Sequence, residues 1–87
     1  MQKEYIIAFS SFYKAAYAED LLEEEGIRVT LRKLPIELAK SCSTGIYGKD
    51  IPVERVKAIF KEKEIYPRGI YLMGKDEKGK TTYTLVR

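Results

Sequence analysis

The 87-residue chain contains no histidine and only one cysteine, Cys42. These two scarcities exclude several kinds of chemistry. A structural zinc site needs about four Cys or His ligands, so none is expected. A Cys–His dyad within one chain is impossible, so any general base must be Asp, Glu, Lys, Tyr or a thiolate. No internal disulfide can form, and a Cys-X-X-Cys redox pair is absent. A free thiol suits a reducing compartment, and the cytoplasm is the expected location. Long apolar runs are missing too: "YIIAF" (residues 5–9) is far short of a membrane span. The N-terminal "MQKEYIIAFSS" lacks a signal-peptide layout, because its apolar run is short and no small-residue cleavage site follows. Proline and glycine are few, and neither repeats nor low-complexity tracts occur.

What remains is the composition of one small α/β domain, residues 1–87, with 45% hydrophobic and 33% charged residues. The net charge of +3 is unevenly spread. Residues 11–26 sum to −4, residues 27–49 to +4 and residues 66–87 to +3. Cys42 therefore lies in the most basic stretch, although so small a charge usually serves solubility.

The order of elements follows from periodicity. "EYIIAFS" (residues 4–10) is apolar, β-branched and aromatic, and reads as a buried strand. Ser10 and Ser11 offer an N-cap for a helix over "FYKAAYAEDLLEEEG", whose Ala15, Ala18, Leu21 and Leu22 face inward and which stops at Gly26. "IRVTLRKL" (residues 27–34) alternates like a half-exposed strand. "PIELAKSCS" is a loop with one helical turn after Pro35, and "TGIYGKDI" is a weak strand. "PVERVKAIFKEKEI" is a second helix with Val53, Val56, Ile59 and Phe60 inward. "RGIYLM" (residues 68–73) and "TTYTLV" (residues 81–86) are strands that form a hairpin across "GKDEKGK". The order β-α-β-β-α-β plus one strand predicts an α+β, ferredoxin-like split βαβ sandwich with an extra C-terminal strand.

That topology gives the thiol an address. The loop holding Cys42 should lie at the sheet end where the first strand meets Ser10, Ser11 and the first helix N-terminus. The second helix ends there, and Arg68 opens the fourth strand there. A helix N-terminus favours anions. It can lower a thiol pKa from about 8.5 to about 3.5–7.5, and nearby Arg32, Lys33, Lys40 and Arg68 act in the same direction. Ser41, Ser43 and Thr44 supply hydroxyls that can donate to the sulfur. The competing reading is that Cys42 is inert packing, since free cysteine often behaves as a small hydrophobe.

Residues 4–72 resemble a group of small bacterial and archaeal proteins described as Se/S carrier protein-like. The resemblance rests on "YIIAFSS", "AAYAEDLLEEEGI", "LRKLPIELAKSCSTG" and a final strand reading "GIYLM". The serine–cysteine after a proline is its most specific part. The group places glycine directly after the cysteine, whereas here Ser43 and Thr44 precede Gly45. Residues 73–87 form a C-terminal extension outside the resemblance. What the resemblance implies is a carrier rather than a turnover enzyme. Cys42 would hold a persulfide or selenide, with a donor and an acceptor protein as partners and no cofactor.

Two other readings differ in class. A ferredoxin-like sheet can bind RNA, but the pattern needs stacked aromatics on the central strands, and "TGIYGKDI" has only Tyr47. This argues against nucleic acid. A non-catalytic interaction module is the other, with tyrosines on its surface and "TTYTLV" able to join two subunits by edge pairing as a homodimer. "EEE" (residues 23–25) sits at a helix end and reads as solvated surface. No phosphate loop or nucleophile elbow is present.

Overall fold

The computed structural model describes residues 3–40 and 43–86. Its elements are β1 (Glu4–Ala8), α1 (Phe12–Glu24), β2 (Thr30–Lys33), β3 (Thr44–Lys49), α2 (Val53–Glu62), β4 (Gly69–Lys75) and β5 (Thr81–Leu85). The strands form one five-stranded sheet in the order β2-β3-β1-β4-β5. Every neighbouring pair is antiparallel. This α+β arrangement, with two helices, is compatible with the ferredoxin-like sandwich expected from the sequence.

The local signals act as their chemistry dictates. Ser11 is the N-cap of α1, and its Oγ accepts from the Lys14 amide at 3.2 Å. Gly26 ends α1 with φ +78°, a conformation that glycine adopts without a Cβ penalty. Ala15, Ala18 and Leu22 of α1 are buried, as are Val56 and Phe60 of α2. In the hairpin turn, Asp76 Oδ1 accepts from the amides of Lys78 and Lys80, each at 2.9 Å, and Gly79 takes φ +79°.

Strand β1 alternates between two cores. Ile7 and Phe9 pack with the helices and with Val29, Ile46 and Ile70, and Phe9 meets Phe60 edge-on at 6.0 Å. Ile6 and Ala8 face the other way, against Leu34 and Leu38, with Tyr47, Tyr71, Met73 and Tyr83 around them. The two α-helices contribute nothing to this second cluster, so that face of the sheet is free of them.

One strand is shorter than its pattern predicts. Ile27 and Val29 are buried, continuing the alternation of Leu31, yet pairing begins only at Thr30. The register Thr30↔Tyr47 carried backward would set Arg28 opposite Lys49. Like charges directly opposed weaken a ladder, so this pairing would add little to the strand.

Candidate functional site

The connection between β2 and β3, residues 34–43, carries the sequence's candidate thiol. Cys42 and Ser41 lie outside the described residues, and the structure describes the residues around them. The connection is closed at its base, where the Leu34 amide donates to the Ser43 carbonyl at 2.6 Å. Beyond the base it makes the single turn expected after Pro35, whose carbonyl accepts from Leu38 at 2.9 Å and Ala39 at 3.0 Å. That turn brings Leu34 and Leu38, both buried, down onto Ile6 and Ala8. The segment therefore crosses the helix-free face.

Arg68 ties the segment down. Its Nη1 donates to the Leu38 carbonyl at 3.1 Å, and its own amide donates to the Ala8 carbonyl at 2.7 Å. Sequence reasoning expected Arg68 to supply positive charge at this end of the sheet. The structure shows a guanidinium also bonded to the backbone of the loop that leads into Cys42. The loss of a partner there would leave the Leu38 carbonyl to find water.

The sheet register gathers the other candidates at one end. Ala8 is opposite both Gly45 and Gly69, so the end of β1 meets the starts of β3 and β4. Ser10 and Ser11 follow β1, Ser43 precedes β3 and Arg68 precedes β4. Ser10 Oγ accepts from Lys14 Nζ at 3.2 Å, and Ser11 Oγ is engaged as the helix cap. Lys40 and Ser43 are exposed.

Gly45 has a packing role that the sequence did not reveal. A Cβ there would run into the Leu34 side chain and sit 2.8 Å from the Ile7 carbonyl oxygen. The glycine that stands three residues after Cys42 thus lets the covering segment lie close to β1.

The helix-free face has its own electrostatics. The Arg32 guanidinium lies 4.9 Å from the Tyr47 ring centre, and the Tyr47 hydroxyl donates to the Lys33 carbonyl at 2.8 Å. Burial pushes the Tyr47 phenol above its ordinary value, and the neighbouring Arg32 charge partly opposes this. Tyr83 is raised by burial as well, and then by the negative charge of Glu37 from the covering segment. The grouping of Tyr47, Tyr71 and Tyr83 on one face was missed from sequence because they lie on three strands. Strand parity within each run was the available signal.

A cleft of about 900 Å³ opens along the β2 side, lined by Glu4, Glu23, Arg28, Arg32, Tyr47 and Lys49 among others. The described residues of the 34–43 connection do not line it. Among the described residues, no group of three or more His, Cys, Asp or Glu side chains could hold a metal ion. No helix of the described residues is long and apolar enough to cross a membrane.

Among curated proteins and among solved structures, no match to the chain is found. Residues 4–72, which span β1 to the middle of β4 and include the whole 34–43 connection, match the model of one protein family. The chain belongs to that family, described as "Putative Se/S carrier protein-like".

Proposed function

We propose that the protein relays sulfur or selenium on Cys42 between a donor and an acceptor protein. The family membership, across a span that includes Cys42, is the observation that carries this reading. The anchoring of the flanking chain supports it. Residues 34–39 are pinned by Leu34, Leu38 and Arg68, Ser43 is fixed to Leu34, and Lys40 and Ser43 are open to solvent. A carrier thiol needs a sulfur that both donor and acceptor can reach.

In the transfer, the Cys42 thiolate attacks the outer sulfur of a donor cysteine persulfide. The new bond joins Cys42 Sγ to that sulfur, the donor's S–S bond breaks, and the donor cysteine leaves as a thiolate. No net oxidation or reduction occurs. The acceptor removes the cargo by the same exchange, so one cysteine suffices. The N-terminus of α1, Lys40 and Arg68 are assigned the task of favouring thiolate, and Ser41 and Ser43 that of donating hydrogen bonds to it. Cytoplasmic placement follows from the need to keep the thiol reduced.

A nucleic-acid reading ranks second. Three tyrosines and Arg32 on the helix-free face would favour base stacking. However, Leu34 and Leu38 occupy the centre of that face, over Ile6 and Ala8, where bases would lie.

The test is alkylation rate against pH, with Cys42→Ser as blank, followed by incubation with a cysteine persulfide donor and intact-mass measurement. The expected result is a thiol pKa below about 8.5 and a mass gain of one sulfur atom that Cys42→Ser lacks. A thiol that labels only on unfolding would sink the carrier reading.

A further inference from the structure

The two edges of the sheet are treated differently. At the β2 edge, the Glu19 carboxylate of α1 accepts from the Leu31 amide at 3.1 Å, occupying a backbone donor that could otherwise pair with another strand. Arg32 and Lys33 add charge to the same strand. Both are recognised ways of protecting an edge.

Among the described residues, β5 has neither device. Its sequence, "TTYTL", carries no charge and no proline. The Val86 amide donates to the Ile70 carbonyl at 2.8 Å, and the Asp76 amide to the Lys80 carbonyl at 2.9 Å. These two bonds fix the parity of the β4–β5 ladder between them. Thr82 and Thr84 direct their backbone groups toward β4, opposite Gly74 and Leu72. Thr81, Tyr83 and Leu85 direct theirs to the open edge. Leu85 is 47% exposed although it sits opposite Tyr71 beside an apolar cluster.

We propose that two copies of the chain pair β5 against β5, antiparallel, about a two-fold axis through Tyr83. The outward-facing positions are symmetric about that residue, so the strand is complementary to itself. Tyr83 meets the partner's Tyr83 as a hydrogen-bonded pair, and Thr81 meets the partner's Leu85. The charge pattern permits this register: Lys80 falls opposite the partner's Val86, so no like charges oppose each other along the paired strand. A β2–β2 pairing would instead displace Glu19 and crowd Arg32 and Lys33 together. The Tyr83 rings lie side by side on the helix-free face, and Leu85 gains cover from the partner. β5 lies beyond the family-matched residues. The pairing uses the backbone and side chains of β5 and is independent of Cys42.

A single strand pair buries a small area, below about 1,200 Å² in total, so the dimer should be in equilibrium with monomer. Sedimentation of the full chain across a concentration series tests this. The mass is expected to rise from monomer to dimer with concentration. Tyr83→Pro removes an amide directed away from β4, so the monomer ladder keeps its bonds and circular dichroism is unchanged. Its dimer dissociation constant should rise at least about tenfold. Tyr83→Lys and Tyr83→Glu should each remain monomeric, while their mixture forms a heterodimer. That pair decides the matter even if the proline variant fails to fold. A wild type that stays monomeric at every concentration overturns the proposal. So does a dimer that survives the Tyr83 charge variants.

Discussion

Strand β1 is buried from both sides, but the two covers are of different kinds. Ile7 and Phe9 lie under α1 and α2, whose residues join a cluster that also includes Val29, Ile46, Ile51, Ile65 and Ile70. Ile6 and Ala8 lie under a connecting segment whose described residues contribute two buried leucines, Leu34 and Leu38, the partly buried Ala39 and one arginine-to-carbonyl bond. Helices bring many packed side chains at once, so that cover opens only when the domain unfolds. A connecting segment without helical packing is expected to open locally at lower free energy. The chain that flanks Cys42 belongs to the second kind.

The contrast is broken most sharply by truncating one side chain on each face. Phe9→Ala removes the edge-on contact with Phe60 and leaves a cavity under the helices, for an expected loss of about 3–5 kcal/mol. Leu38→Ala should cost about 2 kcal/mol, at the low end for a buried leucine. Urea denaturation checks both values. Hydrogen exchange separates them: Leu38→Ala should speed exchange at Leu38 and Ala39 while leaving the amides of α1 and α2 slow. A uniform acceleration would show one cooperative core instead.

Arg68→Gln sharpens the same comparison with a smaller effect. It removes the guanidinium bond to the Leu38 carbonyl, for about 1 kcal/mol. The expected outcome is faster exchange in residues 34–39 with a nearly unchanged urea midpoint. In the persulfide assay, the rate of Cys42 loading should fall if the segment positions the thiol.

The smallest effect is on pH dependence, and it belongs to the helix-free face. Tyr47 and Tyr83 have pKa values raised above 10.0, chiefly by burial. The folded state therefore holds these phenol protons more tightly than the unfolded state. Their contribution to stability is full below 10.0 and is lost as pH rises through the raised folded values. Urea midpoints measured with rising alkaline pH should fall, and Tyr47→Phe should flatten part of that fall. Tyrosinate absorbance should show the same residue titrating late.

Much of this was legible residue by residue. The apolar run of β1, the cap at Ser11, the stop at Gly26 and the inward faces of both helices all stand where the pattern put them. The β2 strand was over-read, because alternation reports which face a residue takes and not whether a neighbour is there to pair. The candidate site was legible in part. Topology placed Ser10, Ser11, Ser43 and Arg68 at one end of the sheet, as the register shows. The sequence could not show that Arg68 bonds the Leu38 carbonyl, or that Gly45 makes room for Leu34.

By itself, then, the sequence determined the elements, their order and the chemistry available, including a single thiol with no histidine beside it. These depend on short-range causes: steric preference, periodicity and capping within a few residues. Only the tertiary structure decided which face the 34–40 segment covers, which edge is guarded by Glu19, and which backbone groups of β5 point outward. Those outcomes depend on strands far apart in the chain meeting in one register, and no local pattern encodes that meeting.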